Sequence, residues 1–322
     1  MKTLHWFIYE WKYSMLAGGL VTLAMLSALY YFCGAMNTEN APWYFSSKRE
    51  YQGMLLLMIL LPVYIVASSV YSQRRALQIA GTVDKLNNLD LSTKIQSVSI
   101  SGLSFAALFG FLYAVLFNIP GNGLNFLVTS PTERAMIFGQ TMIWMMLTSL
   151  LYVRFTTSRE FRAASEQADI DIFEPSNLRP FAQVGLIDLL IIVVGLVVST
   201  VQSLDFGFRP DNYSKALVIL VPASIFLVIY PIWGIHQRMK QMRQDQLDEL
   251  NLLIRNASKT LNAEDLHQLE VLLQRRERVA AAPAWPVDIS TLQRFFLYII
   301  IPPLAWVGAA LVELIIDGIL TG

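Results

Sequence analysis

The chain has a single cysteine, Cys33, and three histidines, His5, His236 and His267, in 322 residues. A lone thiol excludes a disulfide framework, and histidines this scattered exclude a zinc ribbon. Charge is scarce as well: 15% of residues are charged, where a soluble domain carries about 25%. The 24 basic and 24 acidic residues cancel, so the basic excess that a nucleic-acid partner demands is missing. No glycine-rich phosphate loop, nucleophile elbow or metal-ligand spacing occurs, so the sequence points to no enzyme, cofactor or metal. What the chain has in quantity is apolar: 55% hydrophobic residues and a mean hydropathy of +0.48. That excess excludes disorder and leads to an all-α polytopic membrane protein.

A spanning helix needs about 20 apolar residues, because about 30 Å of hydrocarbon is crossed at 1.5 Å per residue. The gaps between charges then define seven spans. Lys12 to Glu39 leaves 26 uncharged residues around Leu20–Tyr31. Tyr51 to Gln73 is the second span, and Ser101 to Asn118 the third, ended by Pro120-Gly121-Asn122-Gly123. The 19 residues between Arg134 and Arg154 form the fourth. Phe181 to Leu204 is a fifth, interrupted by Asp188, and Lys215 to Arg238 a sixth. The last runs from Arg294 past Glu313 to Leu320. With the N-terminus inside, 19 of the 24 lysines and arginines fall on cytoplasmic segments and 5 on outer loops. That bias sets the orientation and leaves the C-terminus outside. A multi-pass protein of a bacterial inner membrane is expected, its first span uncleaved because Glu10 interrupts any signal-like charged region.

The inner loops are long and helical in pattern. Ile79, Val83 and Leu86 continue the second span as an amphipathic stem until Asn87-Asn88. The sixth span runs without a breaker into a stripe of Met239, Met242, Leu247, Leu250, Leu253 and Ile254. Asn262 and Asp265 then open a second helix carrying Leu266, Leu269, Leu272, Leu273 and Val279, stopped by Pro283 and Pro286. The expected organisation is a bundle over 1–236, a cytoplasmic helical hairpin over 237–286, and a last span over 287–322 in the same membrane domain. The hairpin is either a solvated pair folded on its own stripe and on the other stems, or a subunit-contact or coiled-coil element; a cytoplasmic protein partner and a homo-oligomer are the partners expected.

Ionisable groups at membrane depth are the candidate site residues, since an unpaired charge there costs about 2.5–3.5 kcal/mol even on lenient scales. Asp188 lies about two turns inside the fifth span, as a pore group or as the partner of Arg179 or another cytoplasmic-side base. Glu313 and Asp317 sit four apart on one face of the last span. Repeated around a homo-oligomer, they would form an acidic ring at a pore mouth; alone, they would sit among headgroups. Pro302 and Pro303 remove two backbone donors in mid-helix and are kink or gate candidates. Pro62, Pro222 and Pro231 put similar breaks into the second and sixth spans. Met136, Met142, Met145 and Met146 are expected to be packing groups rather than soft-metal ligands. Trp6, Trp11, Trp43 and Tyr44 read as interfacial belt residues.

The stretch Ala284 to Asp317, AWPVD followed by LQRFFLYIIIPPLAWVGAALVELIID, resembles the closing segment of bacterial polytopic membrane proteins without an assigned function. In topology alone the chain is similar to the insect chemoreceptor channels, whose last helix lines a tetrameric cation pore. That likeness implies an oligomeric, cation-permeable conduit lined partly by the last span. The alternative is a non-conducting scaffold or sensor that binds a partner through its cytoplasmic helices, with the lipid bilayer as its surroundings in either case.

Overall fold

The computed structural model describes residues 14–42, 45, 47–87, 89–117, 130–168, 170, 173, 178–203, 210–257, 263–282, 293 and 297. Among these lie eight α-helices and no strand: α1 Ser14–Phe32, α2 Lys48–Asn87, α3 Leu91–Gln96, α4 Ile100–Phe117, α5 Pro131–Ser165, α6 Arg179–Ser199, α7 Pro210–Ala257 and α8 Ala263–Ala281. Four of them, α1, α2, α5 and α6, are long and apolar enough to cross a membrane; α4 contributes a shorter apolar stretch.

The helix ends follow local chemistry. At α1 the chain leaves through Gly34, whose φ of 73° is costly for any residue with a Cβ. The Ala35 N–H donates to the Tyr30 carbonyl and the Gly34 N–H to Tyr31, which satisfies two terminal carbonyls. Helix α5 starts in a capping box: Ser130 accepts from the Glu133 N–H, and the Glu133 carboxylate accepts from the Ser130 N–H. Asp84 of α2 accepts from the Leu91 and Ser92 N–H groups and so anchors the start of α3.

Contacts between helices fix their directions. Gly139 of α5 lies against Tyr30 and Met58, while Arg154 further along reaches Gln73, so α2 and α5 run the same way. Phe155 and Arg162 of α5 meet Phe226 and Tyr230 of α7 in the same order, so α7 runs with them. Helix α4 is antiparallel to α5: Gly102 meets Tyr152, and Thr148 donates to the Ala106 carbonyl. The crossing is close because Gly110 carries no side chain; a Cβ there would lie 2.5 Å from the Trp144 carbonyl oxygen. The C-terminal halves of α2, α5 and α7 therefore project from one end of the bundle as stems.

Each half has its own core. Tyr30, Tyr51, Met58 and Met136 pack in the bundle half, with Ile65, Leu150 and Ile191 below them. In the stem half, Ile79, Val83, Phe161, Phe181, Ile235 and Met239 share one cluster with Leu250 of α7 and Val279 of α8. Around the bundle half, Leu20, Met25, Phe105, Leu108, Val197 and Val218 turn outward. A single apolar rim of this kind suits hydrocarbon rather than water. Pro62, Pro222 and Pro231 all lie inside helices, which continue through them: α2 through the first and α7 through the other two. A proline removes only one ladder bond, which neighbouring turns absorb inside a packed bundle.

Candidate functional site

Between the two cores lies a polar layer built on three helices. Arg154 of α5 is 2% exposed and Asp188 of α6 1%. The Arg154 Nε donates to Asp188 Oδ1 at 2.5 Å, and its Nη1 lies 3.5 Å from Gln73 Oε1 of α2. Ser158, one turn on from Arg154, lies beside the carboxylate. Thr157, Ser72 and Ser68 continue the layer as buried polar groups. Arg154 Nη2, Asp188 Oδ2 and Ser158 Oγ are buried without a hydrogen-bond partner among the described residues.

The depth of this layer explains why a charge pair is tolerated. From Pro131 to Arg154 α5 rises about 35 Å, and from Lys48 to Gln73 α2 rises about 38 Å. Each has by then used up a hydrocarbon-length stretch of about 30 Å. The pair therefore sits where the apolar halves of the helices give way to the stems. Two opposite charges that satisfy one another can be held there, while either alone would be an uncompensated buried ion.

Of the candidate residues, Asp188 thus lies in an ion pair inside its own subunit, with Arg154 rather than Arg179 as the base. Glu313, Asp317, Pro302 and Pro303 lie outside the described residues, as do Trp6, Trp11, Trp43 and Tyr44. Met136 is buried in the bundle core, and Met142 and Met146 pack at its edges. Arg154 itself was missed by sequence reasoning. It bounded a span as a charge, although the helix continues for eleven more residues to Ser165. The signal was present in the pairing of one arginine and one aspartate, each embedded in an apolar stretch.

A second feature stands at the far end of the stems. Helices α7 and α8 pack as a hairpin, Arg276 donating to Asn251 and Arg243 to the Ala280 carbonyl. Its inner face buries Met239, Leu250 and Val279. Towards the tip, however, a groove lined by Leu253, Ala257, His267, Gln268, Val271 and Leu272 opens outward. Leu253 is 45% exposed and Val271 51%, with Leu252 and Leu273 also turned out.

No protein family, curated protein or solved structure matches the chain.

Proposed function

We propose that this protein is a multi-pass protein of a bacterial inner membrane that acts as a scaffold or sensor, engaging a partner or a neighbouring copy through its stem hairpin. One observation carries this reading: the hairpin closes its stripe at Leu250 and Val279 but leaves Leu253 and Val271 exposed at the tip. Isolated leucines are ordinary on a surface; Leu253, Val271 and Leu272 lining one groove suit a docking site better. Helix α7 supports the sensing role, being one 48-residue helix from the bundle into the tip. Displacement at one end is carried to the other through a rigid element.

The full topology belongs to the same proposal: seven spans, N-terminus inside, stems cytoplasmic and a last span over 287–322. The 19-to-5 division of basic residues supports it. A second reading, an oligomeric cation conduit, is favoured by Glu313 and Asp317 four apart on that last span. The two separate in one experiment on purified protein. The scaffold reading expects no cation flux in liposomes and loss of assembly in Leu253→Asp or Val271→Asp with melting unchanged. Cation flux that falls in Glu313→Gln, with assembly indifferent to the hairpin changes, would instead establish the conduit.

A further inference from the structure

We infer that the seam between α5 and α7 binds an anionic phospholipid of the leaflet on the stem side. Phe155, Arg159 and Arg162 follow one face of α5 at spacings of four and three, and Phe226, Tyr230 and Trp233 do the same on α7. The two stripes meet. Phe226 and Tyr230 stack at 4.5 Å with ring planes 26° apart, and Phe155 lies 5.5 Å from Phe226 at 21°. Three nearly parallel rings from two helices make a flat apolar shelf, and its outer members are open: Phe155 is 42% exposed and Phe226 39%.

The shelf ends in guanidinium groups. Arg162 lies over the Tyr230 ring with its central carbon 4.7 Å from the centroid, a cation–π contact that fixes its position. Among the described residues its nearest acid is Glu166, 3.6 Å from Nε, beyond a proper hydrogen bond, so among them the fork retains donors for an oxygen ligand. Arg159, on the same face and largely exposed, is held by Glu160 at 2.9 Å. Arg162 lies eight residues past Arg154, about 12 Å along the helix, and so beyond the hydrocarbon-length stretch. Aromatic shelf and then guanidinium repeats the chemical order of a phospholipid, hydrocarbon and then phosphate. A planar fork takes two phosphate oxygens at once, which an ammonium does not. Net negative headgroup charge adds attraction that a zwitterionic lipid lacks.

The inference rests on the membrane location of α5 and α7, and is independent of what the hairpin binds. The test uses the full chain, delipidated and returned to nanodiscs of phosphatidylglycerol or phosphatidylcholine, with bound lipid counted by native mass spectrometry. Wild type should retain phosphatidylglycerol about tenfold over phosphatidylcholine, and 0.5 M salt should reduce that preference. Arg162→Gln should abolish it, and Arg162→Lys should keep only a minor part. Phe226→Ala should weaken retention of both lipids. Equal retention of the two lipids by wild type, or full preference in Arg162→Lys, would overturn the proposal. Leu253→Asp should leave the preference intact, so loss of the hairpin's role and loss of this site are told apart.

Discussion

Asp188 and Arg154 each supply the only charge the other meets at short range among the described residues, and neither is open to solvent. Removing one partner leaves a buried ion. Asp188→Asn should therefore destabilise the folded protein by about 3–5 kcal/mol, read as a lower melting temperature in detergent. Replacing both by apolar groups, as in Arg154→Met with Asp188→Leu, should recover most of that loss, because the desolvation cost vanishes with the charges. The pair at Glu39 and Lys48 is the opposite case. Lys48 donates to the Glu39 carboxylate and holds its pKa below the usual range. Its contribution is thus present above the unfolded carboxylate pKa and disappears as pH falls through the lowered one. Both side chains are exposed, and such pairs contribute little. Glu39→Gln should leave melting at neutral pH unchanged, and should remove only a shallow part of the acid dependence.

At the scale of elements, the close crossing of α4 and α5 depends on Gly110. A methyl group there meets the Trp144 carbonyl and Met145 backbone, so Gly110→Ala should cost about 1–3 kcal/mol through overpacking, measured by thermal melting. The hairpin offers a paired comparison. Leu250→Asp places a charge among Met239, Val279 and their neighbours and should lower the melting temperature strongly. Leu253→Asp, at an exposed position, should not. Much of this architecture was legible in the sequence. Helix α2 ends at Asn87, where the Ile79–Val83–Leu86 repeat meets Asn87-Asn88, and α8 stops at Ala281, ahead of Pro283. The long run of α7 from span to stem was also expected from the missing breaker. What was not legible was tertiary. Treating charge as a span boundary stopped the fourth span at Arg154, because periodicity along one helix carries no information about an acid on another. The Ser130–Glu133 capping box was written in the sequence as a Ser-x-x-Glu signal and was not used.

For the whole molecule, the shared direction of α2, α5 and α7 gathers their ends at one pole, where Asp84, Phe161, Met239 and Val279 tie α3 and α8 to them. Among the described residues, the bundle and stem cores meet at the Arg154–Asp188 layer, where Ile187 packs against both. If the stem pole is cytoplasmic, the hairpin groove is accessible to cytoplasmic partners and the shelf at Phe155 and Phe226 faces the inner leaflet. Orientation is thus the claim on which the functional account turns. It is tested most directly by labelling single cysteines, in a Cys33→Ser background, with a membrane-impermeant maleimide in intact cells and after permeabilisation. The account predicts that Asn125→Cys and a cysteine appended after Gly322 label in intact cells, while Glu160→Cys and Glu270→Cys label only after permeabilisation. Labelling of position 270 from outside, or protection of the C-terminus, would contradict it.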